Sequence, residues 1–382
     1  LRIAIFDYKV TPTNPIGGCH RLILQGLAEE HDFTVFAAEF ENPRPERIDF
    51  VRIRVPQRPL ALLFLSYHLA APSAYWAHRV RTGKQYDLVQ MVESNLSFGD
   101  VAYVHFCHRA FLRNRWNEMR ARGIRGFLRY LDHLFHAWAE PRVFQRVKRI
   151  VVPSNGLKRE LADTYPSTIG ELTVIPNPVD LEKMEPPREF DREGFRLGKG
   201  ANSQDVVMVF VALGHFERKG LHLVLEAMRS LGDSRVKLWV VGGTGDLVRV
   251  WERKALGLGL ADRVKFFGMQ KDVRPFLWGA DAFVLPSAYE TFSLVAFEAA
   301  GAGLPVLVSR VYGVEDILTD GVAGFLIERS SSGVADGIRR FVSLTHEERR
   351  GMGLRARQAV KAYSVDNFVE AWRKFFRGWF RE

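Results

Sequence analysis

The sequence predicts an α/β protein made of two doubly wound domains, each a parallel sheet with helices on both faces. Three observations carry this. The chain has 382 residues, the length of two ordinary domains. Short apolar runs without polar alternation recur in both halves, as strands buried on two faces require. Amphipathic stretches of helical length separate those runs.

The first succession opens with the strand RIAIFDY at 2–8. A glycine-containing loop, NPIGGCH, follows, then a helix with Leu22, Ile23 and Leu27 on one face. Further strands are expected at FTVFAAEF, at 50–55 (FVRIRV), 87–92 (DLVQMV), 101–106 (VAYVHF) and 149–154 (RIVVPS). The segment from Pro59 to His78 is apolar but interrupted by Ser66, His68, Pro72 and Ser73. It reads as a buried or half-buried helix pair; a membrane span would need about 20 predominantly apolar residues.

The second succession opens with VVMVFVAL at 206–213. It continues as KGLHLVLEAMRSL (helix), VKLWVVGG (strand), LVRVWERKALGLGL (helix), VKFFG (strand), VRPFLWGA (short helix), DAFVLPS (strand), SLVAFEAAGAG (helix) and PVLVS (strand). The two successions meet near VIPNPVDLEKMEPP, 174–187, where four prolines end regular structure. The expected domains are therefore 1–173 and 174–364.

The composition, 47% hydrophobic and 26% charged, is that of a soluble globular protein. Cys19 and Cys107 give neither a disulfide framework nor metal-ligand spacing, which fits a reducing, cytoplasmic compartment. The opening LRIAIFDY reads as a strand and not as a signal peptide. The net charge of +10 is concentrated: from His105 to Arg149, eleven Lys and Arg face Glu118, Asp132 and Glu140, a net +8. No nucleic-acid motif accompanies this stretch, so no nucleic-acid partner is expected. Two readings remain. Arg109, Arg113, Arg120 and Arg129 form the wet face of helices whose Phe111, Trp116, Phe127 and Leu131 face the core. Alternatively the stretch meets an anionic lipid surface or a phosphorylated glycolipid, as a peripheral contact at the inner face of a membrane.

Three strand ends in the second half carry chemistry. At 283–309, FVLPSAYETFSLVAFEAAGAGLPVLVS, a strand ends at Ser287 and a loop holds Tyr289, Glu290 and Thr291. A helix then starts near Phe292 or Ser293 and carries Glu298. Its first amides suit a phosphate, and the two carboxylates suit sugar and ribose hydroxyls. At 214–220, GHFERKG, Arg218 and Lys219 sit at a strand-to-helix turn, where two cations can meet a diphosphate. At 239–246, WVVGGTGD, Gly242 and Gly243 permit close backbone approach to a ligand. Taken singly, each has an ordinary reading: a capping glutamate, a solvated basic turn, a plain tight turn.

Together, and in this order with VKFFGMQKDV between, these motifs resemble the family 4 retaining glycosyltransferases over residues 174–327. Glu290 and Glu298 match that family's paired glutamates, and VIPNPVD resembles its hinge signature. The resemblance implies a GT-B fold: two facing Rossmann-like domains with an interdomain cleft, and a C-terminal helix, here 365–382, crossing back to the N-terminal domain. It implies a nucleotide-diphosphate sugar donor, UDP- or GDP-linked, and a hexose transferred with retention to a glycan or glycolipid acceptor. The implied donor-binding residues are Gly17, Gly18, Arg218, Lys219, Gly242, Gly243, Met269, Glu290, Thr291, Phe292, Ser293, Leu294 and Glu298. Glu290, His105, Arg218 and Lys219 are implied in catalysis. Gly17 and Gly18 look like first-loop glycines, and His105 in YVHF like the histidine near the transferred sugar. AEPRVFQRVKRIVVPS, with Glu140 and Ser154, resembles the segment before the last N-terminal strand. One departure stands out: the common pattern has an Arg two or three positions after the glycine, where His215 and Phe216 stand here, so Arg218 takes that role. No cofactor is expected, and no Asp-x-Asp or His/Asp cluster at a strand end suggests a metal. An epimerase or phosphorylase on the same architecture, or a non-catalytic nucleotide-sugar binder, are the alternatives. Donor hydrolysis and anomeric analysis separate them.

Overall fold

The computed structural model describes residues 1–56, 60–116, 123–166 and 171–379, with the side chains at 60, 61 and 125 left out of the description. The chain divides into two compact units. One is Leu1–Pro178 together with the C-terminal segment from Asp366, the other Val179–Val365.

In the first unit the strands are β1 (Arg2–Phe6), β2 (Lys9–Val10), β3 (Asp32–Ala37), β4 (Glu39–Phe40), β5 (Ile48–Arg52), β6 (Leu88–Val92), β7 (Val101–Tyr103), β8 (Arg149–Val152) and β9 (Glu171–Val174). Its helices are α1 (Pro15–Leu27), α2 (Leu60–Thr82), α3 (His108–Asn114), α4 (Gly123–Phe144) and α5 (Asn155–Thr164). Seven strands form a sheet in the order β5-β3-β1-β6-β7-β8-β9, every pairing parallel. The order reverses between β1 and β6, which makes that crevice the topological switch point. Strand β9 was not expected: its half-buried ELTV lacks the apolar run that marks a central strand, because it is the edge. The pairing of Val174 with Val152, and Asn177 packed in this unit, put the division after Pro178, a few residues beyond the boundary expected from the prolines.

In the second unit the helices are α6 (Leu181–Met184), α7 (Arg192–Gly198), α8 (Leu221–Leu231), α9 (Gly245–Gly257), α10 (Arg274–Gly279), α11 (Leu294–Gly301), α12 (Ser331–Val342) and α13 (His346–Ala359). The strands are β10 (Val206–Val211), β11 (Val236–Val241), β12 (Val264–Gly268), β13 (Ala282–Leu285), β14 (Val306–Ser309) and β15 (Gly324–Ile327). They form one parallel sheet ordered β12-β11-β10-β13-β14-β15, with its switch point between β10 and β13. Strands β10, β13 and β14 are buried at every residue, which is why they read as unbroken apolar runs. Both units thus have the Rossmann strand order.

The last helix, α14 (Val365–Gly378), packs into the first unit. Phe368, Trp372, Phe375 and Phe376 join Ile3, Leu27 and Phe33 in one core. Gly26 on α1 gives it room, since a Cβ there would lie 2.6 Å from Val369 Cγ1.

Two expectations are corrected here. The segment read as a buried or half-buried helix pair is one half-buried helix, α2, which runs through Pro72. Phe127 and Leu131, expected to face the core, are exposed on α4, whereas Phe111 is buried and Trp116 half-buried. Helix α4 must bury His136, Glu140 and Val143, and these lie on its other side. Arg120 and Arg122 lie outside the described residues. Among those described, no helix is long and apolar enough to cross a membrane.

Candidate active site

The switch point of the second sheet is where the loops after β10 and β13 meet. The loop after β10 closes on itself: the Lys219 amide donates to His215 O at 2.9 Å and the Gly220 amide to Glu217 O at 3.0 Å. Gly220 has φ +82°, and a Cβ there would stand 2.2 Å from Pro286 O, so only glycine lets this loop lie on the end of β13. The two loops are then tied directly, Ala288 N donating to Arg218 O at 2.9 Å. This seam brings the Lys219 ammonium onto Glu290 Oε1, with the two side chains only 16% and 11% exposed.

Arg218 beside them is half-buried, has no carboxylate partner among the described residues, and its Nε is buried without an acceptor. A guanidinium in that state is placed for an anionic ligand. The Glu298 carboxylate, in the second turn of α11, has no hydrogen-bond or ion-pair partner among the described residues. Burial pushes its carboxyl up to about 7.

The approach to α11 is strained. Ser293, its N-cap, has φ +59°, its hydroxyl is buried without a partner, and it caps no amide. The first two amides of α11, those of Leu294 and Val295, have no intrahelical acceptor, whereas that of Ala296 donates to Ser293 O at 2.8 Å. His215 is left-handed as well, at φ +56°. Such residues collect at ligand clamps, where surrounding packing holds them. Here Phe292 stacks on Phe297 with ring centres 4.2 Å apart, and Gly313 lies so close that a Cβ would be 2.7 Å from Phe292 O. Ser309 donates to Ser287 O at 2.6 Å and Ser287 to Tyr289 O at 3.3 Å, which fixes the loop carrying Glu290 and Thr291. Gly242 and Gly243 stand at the end of β11, at φ +107° and +83°; a Cβ on Gly242 would be 1.9 Å from Ala212 O. Met269, after β12, is 54% exposed.

In the first unit, His105 follows β7 and is buried. Its Nε2 donates to Asn177 Oδ1 at 3.1 Å, an oxygen that also accepts from Tyr103 at 3.0 Å and Cys19 at 3.7 Å. Its backbone amide donates to Glu93 Oε1 at 2.9 Å. With Nε2 carrying the proton, Nδ1 is a buried acceptor without a partner, and burial pushes the imidazole down to about 4, so it is neutral at physiological pH. Gly17 lies against β2, where a Cβ would be 2.0 Å from Lys9 O. The Gly17 and Gly18 amides donate to Asn14, to its Oδ1 at 2.8 Å and its carbonyl at 2.7 Å, so both are engaged in the first turn of α1. At this unit's switch point, Gln90 Nε2 donates to His20 Nε2 and His20 Nδ1 to Asp7, each at 2.9 Å. Glu140 receives the His108 and Arg109 amides and the Tyr165 hydroxyl, and so fixes the start of α3; Ser154 caps α5.

The structure thus joins Lys219 to Glu290, sets Arg218 beside them and Glu298 in the helix that follows. Gly242, Gly243 and Met269 stand at the ends of the neighbouring strands. Gly17, Gly18 and His105 belong to the other unit. Sequence reasoning missed Asn177, Ser309 and Gly313. Asn177 was read only as part of a hinge, and nothing local in VIPNPVD ties it to a histidine 72 positions earlier. Among the described residues no group of three His, Cys, Asp or Glu could hold a metal ion.

Known proteins share these features. Residues 191–359 match the family described as glycosyl transferases group 1, and residues 20–183 match glycosyltransferase family 4. A D-inositol 3-phosphate glycosyltransferase of Geodermatophilus obscurus is 33% identical over 61% of this chain, which spans 53% of that relative's length. The structure of WaaG, a glycosyltransferase involved in lipopolysaccharide biosynthesis, superposes with a TM-score of 0.76 at 20% identity, covering 97% of this chain and 98% of that one. Anabaena Alr3699/HepE in complex with UDP-glucose gives 0.72 at 18% identity, covering 99% of each. With two family profiles matched along most of its length and a pair of Rossmann-like domains of the GT-B type, the chain belongs to the family 4 glycosyltransferases.

Proposed function

We propose that the protein is a retaining hexosyltransferase that uses a nucleotide-diphosphate sugar. The observation that carries this is the seam at the second switch point, where Lys219 meets Glu290 beside Arg218, which has no carboxylate partner among the described residues. Two cations and a carboxylate in one half-buried place suit a diphosphate bonded to a sugar. The likeness to a protein solved with UDP-glucose supports the donor class. In the proposed reaction the bond from the anomeric carbon to the diphosphate oxygen breaks, and Arg218, Lys219 and the first amides of α11 stabilise the charge that develops. The acceptor oxygen bonds to the same face of the sugar, and its proton leaves with the departing phosphate. Glu290 orients the hexose. Glu298 holds the ribose hydroxyls. No metal or cofactor takes part. The acceptor is a glycan or glycolipid at the cytoplasmic face of a membrane; the likeness to a glycosyltransferase involved in lipopolysaccharide biosynthesis supports an acceptor of that kind.

Proton NMR of an early product tests the reaction: the donor's anomeric configuration should be kept, and activity should survive a chelator. An inverted product overturns the retaining mechanism. Loss of turnover in chelator, restored by a divalent ion, overturns only the metal-free part.

The ribose role has its own signature. A carboxylate accepts hydroxyl protons better ionised than protonated. The Glu298 carboxyl of the free protein titrates near 7, raised above its unfolded value. It therefore favours the folded state at low pH, and that stability falls as pH rises through the interval up to about 7. Donor affinity runs the opposite way, rising from pH 6 to pH 8, because the ionised form binds. Calorimetry with a nucleotide sugar, which has no phosphate group titrating there, should show this rise in the wild type and lose it in Glu298→Gln. A rise retained in Glu298→Gln removes Glu298 from the ribose. In turnover, Glu298→Ala should mostly raise KM, since ribose contacts are similar in ground and transition states.

A further inference from the structure

Helices α2 and α4 of the first unit have an unusual outer surface. On α2, Leu62, Leu65, Leu69, Trp76 and Val80 are all exposed, Leu69 to 67%. With Ser73 between them they recur every three or four residues, so they form one straight stripe. The opposite side, Leu63, Tyr67, Ala71 and Tyr75, is buried. On α4, Ile124, Phe127, Leu131, Leu134 and Trp138 repeat the pattern, with Phe127 61% exposed. The two helices touch through Phe64 and His136, ring centres 5.0 Å apart, and through His68 and Phe135 at 5.9 Å. The two helices are therefore neighbours on the first unit, and each turns its apolar stripe away from its buried side. Two such stripes of large exposed side chains on neighbouring helices are more than scattered exposure and mark an interaction site.

The charge around it selects the occupant. Helix α2 has no acidic residue, and its charges are Arg79 and Arg81 in the last turn. The Arg79 guanidinium lies 4.7 Å from the Trp76 ring centre and that of Arg142 lies 4.1 Å from Trp138. Each stripe thus carries, towards its C-terminal end, an exposed indole under an arginine. This is the chemistry of a surface that enters the boundary of a bilayer, with rings and stems in the acyl region and guanidinium groups at the phosphates. A second copy of the chain would bring the same arginines against each other.

We propose that this face inserts into the outer boundary of an anionic lipid leaflet. The inference deepens the proposed function, because it rests on an acceptor that resides in a membrane and says which surface meets it. Insertion differs from adsorption of the basic stretch by charge alone, since buried apolar area keeps its attraction when salt screens the arginines.

The test is co-sedimentation of the whole chain with phosphatidylcholine vesicles containing or lacking phosphatidylglycerol, with tryptophan fluorescence read alongside. The wild type should bind the anionic vesicles with a blue shift, and should keep part of that binding in high salt. Leu69→Glu and Leu131→Glu replace exposed side chains, so both variants should keep the thermal midpoint, and each should weaken binding about tenfold or more. Failure to bind anionic vesicles, binding that salt abolishes and neither variant alters, or a wild-type dimer that either substitution dissociates would each overturn the proposal. Nucleotide-sugar affinity, measured calorimetrically on the same variants, separates the two readings. Its absence in the wild type would sink the transferase and leave vesicle binding standing, whereas intact donor binding with no vesicle binding would sink the membrane face alone.

Discussion

Lys219→Ala should weaken nucleotide-sugar binding by about 2–5 kcal/mol, the range for removing one partner of a half-buried charge pair. Two losses combine. The donor diphosphate loses a cation, and Glu290, whose side chain is 11% exposed, loses the ammonium that neutralises it. The second loss also predicts coupling. In the double variant Lys219→Ala/Glu290→Gln, part of the penalty should return, because no uncompensated carboxylate is left beside the phosphate. Calorimetric titration with the donor gives all the affinities. An unchanged affinity in Lys219→Ala removes Lys219 from the donor site, and strict additivity in the double variant separates the ion pair from donor binding.

Glu290→Gln should lower kcat by roughly 10²-fold with little change in KM, the size expected when a reacting group is held slightly out of place. Glu290 sits on a loop fixed at several points: Ala288 to Arg218, Ser287 to Tyr289, and Ser309 to Ser287. A loop so tied positions a side chain and does not merely tether it, and such positioning matters most where the sugar reacts. Donor affinity should stay near that of the wild type, since the phosphate cations remain. Steady-state kinetics decide it. A raised KM at unchanged kcat would exchange the roles of Glu290 and Glu298.

Both predictions start from residues that local pattern marked. Arg218, Lys219 and Glu290 each lie in the loop that follows an apolar run, where a parallel sheet leaves its ligands, and Glu298 lies in the helix after such a loop. The strands of the second unit were legible for a related reason: burial on both faces writes the same apolar run into each. Strand β9 was not, because an edge strand faces solvent and needs no such run. Helix α2 was read as two because Pro72 interrupts its apolar run, yet the helix continues through that proline.

By itself, then, the sequence determined the strand succession, the glycine turns and the identity of the charged residues at strand ends, since each depends on neighbours a few positions away. Only the tertiary structure decided which of them meet. Lys219 and Glu290 are 71 positions apart and pair because β10 and β13 are adjacent at the switch point; His105 and Asn177 are 72 apart and pair across the end of the first sheet. It also decided that the stripes of α2 and α4 face outward. The number of apolar side chains on a helix is a property of sequence, but the side that is buried is set by the sheet it packs on.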